Sequence, residues 1–251
     1  MPASDQLSPI RFIMLSIMPE RLAVEQVDCG SRACQRAHMK RFFSTKMPGL
    51  QFLTNVMIFS LIGLLPVLFV YVLLAPGFSS ALINGGPALS RFLRQVLTNG
   101  LPVVFIINYV SFFLFAVLNE KGADGREPAL LIVFDVAIRV ALFLVLHALI
   151  YVLSASWFGS FGGSRATALS VVAPTLARSA LFENISGVYL YATLVSALPL
   201  YATAAGRSAI LQPFVGLFPK KVGTVLIALA AFVSAALCLT TIAAIVMRLQ
   251  S

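Results

Sequence analysis

The stretch "LLIVFDVAIRVALFLVLHALIYVL" (130–153) carries three ionisable groups, Asp135, Arg139 and His147, in a run otherwise apolar enough to cross a bilayer. One charge at a helix centre costs roughly 2.5–3.5 kcal/mol on the translocon scale, so such groups mark a pathway or a paired contact. On a helix, Asp135 and Arg139 fall one turn apart on one face. Asp135 lies near the start of the run and Arg139 near its middle. His147 follows two turns later, rotated by about 80°, toward the far interface. Two chemistries are open. In the first, the three groups line a polar pathway, with Asp135 or His147 exchanging protons and Arg139 holding an anion. In the second, Asp135 and Arg139 form a satisfied pair that fixes helix register, and His147 hydrogen-bonds near the headgroups. The second is preferred. Asn108, in the middle of another apolar run, is the expected neighbour across the helices.

The elements that must position these groups are membrane spans. Of 251 residues, 59% are hydrophobic and 11% charged, against about 25% charged in an ordinary soluble domain. Several runs reach the roughly 20 apolar residues that a spanning helix needs. The expected fold is all-α, a polytopic transmembrane helix bundle of five or six spans. Five spans are expected at 51–75, 101–118, 129–153, 185–205 and 222–247. The stretch 166–182, interrupted by Pro174 and Arg178, is a marginal sixth. Residues 76–100 read as a connection and 119–128 as a tight charged turn. "GRSAILQPFVGLFPKK" (206–221) reads as interfacial, with Phe214, Leu217 and Phe218 for the membrane and Lys220 and Lys221 for water. Tyr151 and Trp157 sit where amphipathic rings prefer the interface. The chain divides into a basic tail, 1–46, and a transmembrane helical domain, 47–251.

Charge sets the expected orientation. The net charge is +9, and basic residues collect in cytoplasmic loops of membrane proteins. With five spans and a cytoplasmic N-terminus, 12 of the 18 Lys and Arg residues fall inside, five outside, and Arg139 lies in the membrane. The expected setting is the inner membrane of a bacterium, with an organelle membrane as the alternative. Lys40, Arg41, Lys46, Lys220 and Lys221 are the candidate contacts for anionic lipids or partner proteins, since basic juxtamembrane segments attract anionic headgroups. Nucleic-acid binding is not expected, because no recognition motif accompanies the positive charge.

Other chemistries lack their residues. There is no glycine loop followed by Lys-Ser/Thr and no HExxH helix. The GxSxG elbow is missing too. Cys29 and Cys34 with His38 ("CGSRACQRAH") lack a fourth ligand and match no zinc spacing. Ser164 with His147 has no orienting group. "NIS" at 184–186 has the glycosylation pattern, but it abuts a span and reads as chance. Cys238, inside the last apolar run, reads as a small packing residue. No cofactor, metal or enzymatic activity is expected.

From Phe161 onward the residues follow a distinctive order. Phe161-Gly162-Gly163 come first, then Ala168-Leu169, then "YLYATLVSALP" closing on Leu198-Pro199. Pro219, Lys221 and Gly223 open the final apolar helix. This order, over about 161–247, resembles the Yip family of small polytopic membrane proteins. The resemblance implies five spans, a cytoplasmic N-terminal tail, a short external C-terminus and no enzymatic activity. The resulting expectation is a non-enzymatic multi-pass protein, a scaffold or membrane-complex subunit, whose partners are other membrane proteins and anionic lipids. Small residues at helical spacing, Ala231 and Ala235, permit close helix packing and a homo-oligomer. The alternative is a small carrier or channel subunit that uses Asp135, Arg139 and His147.

Overall fold

The structure is a computed structural model and describes residues 43–74, 80, 87–121, 127–153, 174–181 and 183–248. In hydrocarbon there is no water to satisfy backbone N–H and C=O groups, so apolar runs of this length close their hydrogen bonds within themselves. Five helices are long and apolar enough to cross a membrane. They lie in α1 (Gly49–Leu74), α3 (Leu101–Lys121) with the helical turns that lead into it from Ser90, α4 (Pro128–Leu153), α5 (Ile185–Ala205) and α7 (Lys220–Arg248). Shorter helices lie between them, among them α2 (Pro87–Gln95) and α6 (Gln212–Gly216). No strand occurs among the described residues.

Two differences from the sequence reading have physical causes. Residues 87–100 are helical, not a connection. The amphipathic α2 runs through a π-helical turn, Val96–Gly100, straight into α3. The π turn brings Gly100 against α5, where an added Cβ would lie 2.3 Å from Cε1 of Tyr189. The marginal stretch 166–182 is helical over 174–180, and 166–173 and 182 lie outside the described residues. Residues 174–180 pack on the start of α5: Asn184 caps it by accepting from Gly187 N at 3.0 Å, and its Nδ2 donates to Thr175 O at 3.1 Å. The Asn184 amide of the "NIS" triplet is therefore engaged as a helix cap.

Successive spans alternate in direction. The start of α1, the α3–α4 turn and the α5–α7 connection thus meet at one end of the bundle, here called proximal. Polar contacts tie these segments together. Ser44 Oγ donates to Glu120 Oε1 at 2.7 Å, Arg207 Nη2 to Asn119 Oδ1 at 3.0 Å, and Ser208 Oγ to Glu127 Oε1. Phe43, which the sequence reading places in the polar tail, is buried against Phe112, Phe52 and Phe59. The bundle thus begins before residue 47.

The helix at the centre is α5, which packs against α1, α3, α4 and α7. Fourteen of its 21 residues are buried, against six of 26 in α1. Its alanines, glycine and serines let neighbours approach closely, the usual device where helices associate without a hydrophobic driving force. Gly63 of α1 shows how close: an added Cβ would sit 2.1 Å from Ser196 Oγ and 2.4 Å from Ala192 O. On α7, Ala231 and Ala235 are buried within the chain itself. Cys238 is exposed, so it faces away from the core.

Candidate functional site

Asp135 and Arg139 lie on the buried face of α4, 2% and 0% exposed. Arg139 is 11 residues into α4, about 16 Å along the axis and thus close to the middle of a ~30 Å hydrocarbon core. A lone charge there would be unstable. The two side chains pair, with Arg139 Nε donating to Asp135 Oδ2 at 2.6 Å. Helical spacing of four residues brings them face to face without bending the backbone.

The rest of the cluster comes from three other helices. Ser111 of α3 donates its hydroxyl to Asp135 Oδ1, and Tyr201 of α5 donates to Oδ2. The carboxylate therefore accepts from three donors. Arg139 Nη1 donates to Asn108 Oδ1 at 2.5 Å and to the backbone carbonyl of Thr193 at 2.8 Å. Asn108 turns its amide nitrogen the other way, to Ser60 Oγ of α1 at 2.9 Å and Ser196 Oγ of α5 at 3.1 Å. Both amide protons and the carbonyl of Asn108 are thereby satisfied. The guanidinium lies over the Phe112 ring, 4.9 Å from its centroid, an arrangement that favours a cation. Phe43 packs on Phe112 at 4.3 Å between centroids. One donor, Arg139 Nη2, is buried with no hydrogen-bond partner among the described residues.

Within this geometry the sequence-nominated residues separate. Asp135, Arg139 and Asn108 come together. His147 does not join them. It is half-buried and its Nδ1 lies 2.9 Å from the Phe143 carbonyl on its own helix. Its ring packs on Phe143 at 4.0 Å between centroids. The two-turn offset and rotation carry it away from the pair. Lys46 is exposed at the proximal end, and Lys220 and Lys221 open α7 at that same end. Lys40 and Arg41 lie outside the described residues, as do Cys29, Cys34, His38 and Ser164. No group of three or more His, Cys, Asp or Glu residues could hold a metal ion among the described residues.

Ser60, Ser111, Phe112, Ser196, Tyr201 and the Thr193 carbonyl were missed by the sequence reading. The signal for some of them was helical spacing: Ser111 and Phe112 stand three and four residues after Asn108, on its face. Ser60 and Ser196 carry no such signal, because a lone serine in an apolar helix commonly bonds its own backbone, and Tyr201 is one of three tyrosines in its helix.

Two grooves open on the lipid side. One, of about 530 Å³, lies between α1, α5 and α7 and is walled by side chains such as Val67, Tyr191 and Phe232. The other, of about 510 Å³, lies between α4, α6 and α7. Neither is lined by a member of the polar cluster. No family model matches the chain, and neither a curated protein nor a solved structure does. The chain is a multi-pass membrane protein by its own five apolar helices.

Proposed function

We propose that this multi-pass protein is a non-enzymatic scaffold or membrane-complex subunit, in which Asp135 and Arg139 hold the bundle together and do not carry a substrate. The single observation behind this reading is the closure of the cluster. Four helices contribute to it, every named partner is buried, and the charges cancel within one helical turn. A transport residue needs access to water from at least one side, whereas here the guanidinium lies over the Phe112 ring, and Phe43 packs on Phe112 in turn. Buried polar groups of this kind specify register between helices that lipid alone cannot distinguish. The surface left for function is the lipid-facing side and the proximal basic end. Partners there are other membrane proteins and anionic lipids. The five-span arrangement is also the one that the Yip resemblance implies, and it agrees with a cytoplasmic proximal end carrying most of the basic residues.

A second reading, a small carrier or channel subunit, draws on Arg139 Nη2. An unpaired guanidinium donor at the midplane is where an anion would bind. Purified protein in sealed vesicles separates the two. The scaffold reading predicts ion and solute fluxes equal to those of empty vesicles, with migration in native gels as part of a larger complex in membrane extracts. A flux that disappears in a folded Asp135→Asn/Arg139→Gln variant would overturn it in favour of a carrier.

A further inference from the structure

We infer that the groove between α4, α6 and α7 is a binding site for one acyl chain of an anionic phospholipid, whose headgroup sits at the Lys220–Lys221 end. The inference rests only on the multi-pass reading and stands whether the protein is a scaffold or a carrier. Three observations carry it.

The first is length. The groove begins at Ala129, the second residue of α4, and at Phe218 just before α7. It ends at Cys238, just beyond residue 235, the middle of the Val222–Arg248 span. Its wall on α7, from Leu226 to Cys238, rises about 18 Å, against about 15 Å for one half of a 30 Å hydrocarbon core. That is the depth of one leaflet. A partner's spanning helix would need a groove running the full thickness.

The second is that the mouth is built. Helix α6 rests on the first turn of α7 so closely that a Cβ on Gly223 would lie 2.8 Å from Val215 Cγ1. Glu127, just before α4, accepts from Ser208 Oγ and from Ile210 N at 3.4 Å, which ties the other wall to the segment leading into α6. The walls are therefore held apart and together by the chain's own contacts, so a lipid chain meets a preformed slot and loses less on ordering.

The third is charge. The mouth opens where α7 begins with two adjacent lysines, and the acidic side chain beside it, Glu127, is engaged by Ser208 Oγ and Ile210 N. The slot below is walled by alanines, aliphatic residues and two phenylalanines, with Ser234 the one hydroxyl. Anionic above and apolar below is the chemistry of a phosphatidylglycerol-like lipid.

The test uses the full chain in phosphatidylcholine vesicles that contain a minor fraction of phosphatidylglycerol bearing a photoreactive acyl chain. Crosslinks are mapped by mass spectrometry. Labelling concentrated on groove residues such as Ala137 and Ser234, and displaced by unlabelled phosphatidylglycerol, is expected. Two variants fill the slot from opposite walls at exposed positions, Ala230→Trp and Val133→Trp, so that misfolding of one leaves the other. Each should abolish groove labelling, whereas Leu61→Trp on the lipid face of α1 should not. Lys220→Gln with Lys221→Gln should keep chain labelling but lower the preference for anionic over zwitterionic probe by about thirtyfold at low salt. Equal labelling of Leu61 and the groove would overturn the site. So would groove labelling that survives both tryptophans, an anionic preference unchanged without the lysines, or a photoreactive residue at Ala230 that crosslinks to protein in native membranes.

Discussion

Removing one charge of the central pair should be far worse than removing both. Asp135→Asn leaves Arg139 ionised at the midplane with no counter-charge, while Ser111, Tyr201 and Asn108 surround it with dipoles only. Breaking a buried pair from one side costs about 3–5 kcal/mol. Arg139→Gln leaves Asp135 with two hydroxyl donors, Ser111 and Tyr201, which offset part of the lost counter-charge, so its cost falls toward ~2–3 kcal/mol. The double variant Asp135→Asn/Arg139→Gln buries no charge at all. It weakens several interhelical hydrogen bonds, each worth only about 0.6 kcal/mol on average in a membrane bundle, for a sum of roughly 1–2 kcal/mol. The cycle should therefore close with a coupling of at least ~3 kcal/mol, at the upper end of what contacting residues show. The assay is reversible unfolding in mixed micelles, titrated with denaturing detergent and followed by circular dichroism, for wild type, both single variants and the double. Additivity of the two single costs within about 0.5 kcal/mol would refute the reasoning.

Three further outcomes follow from the same contacts. Gly63→Ala drives a methyl group into the Ala192 carbonyl and should destabilise by about 1–3 kcal/mol. Gly216→Ala meets nothing within 4 Å and should stay within about 0.5 kcal/mol of wild type; equal thermal shifts for the two would contradict the α1–α5 contact. Asn184→Ala removes the α5 cap and should cost about 1–2 kcal/mol in the same unfolding titration, with an unchanged midpoint counting against its role as a cap. Finally, a single cysteine at Ser251, with the three native cysteines replaced, should react with an impermeant thiol reagent from the side opposite the N-terminal tail. Reaction from the same side would require a sixth crossing.

Much of the fold was legible because spans announce themselves. A run near 20 apolar residues has few alternatives in lipid, and the expected 185–205 coincides with Ile185–Ala205. The ends of α1, α3, α4 and α7 differ from expectation by a few residues, where apolar composition fades into capping and turn residues. The α2–α3 junction was not legible. Arg91 and Arg94 make that stretch look like a loop, whereas α2 stays helical because its apolar positions fall on one side, as its amphipathic pattern allows. The site was half legible. Charges inside an apolar run stand out, which gave Asp135 and Arg139, and Asn108 stands out for the same reason. Their partners did not, because serine and tyrosine are common in membrane helices. His147 stands apart from the pair, since an ionisable side chain can satisfy itself on its own backbone, as it does at the Phe143 carbonyl. Cys238 was misread as packing because periodicity alone does not say which face of an evenly apolar helix meets lipid.

The central claim is that the polar cluster is sealed from water, and cysteine accessibility tests it most directly. Ser60 reaches the cluster through Asn108 and is fully buried. In a background lacking the native cysteines, Ser60→Cys is treated in intact membranes with a small water-soluble thiol reagent applied to either side. Thr45→Cys, exposed at the proximal end, serves as the reactive control. The account predicts full modification of the cysteine at 45 and none at 60. Modification at 60 from either side would mean that water reaches Arg139, and the carrier reading would replace the scaffold.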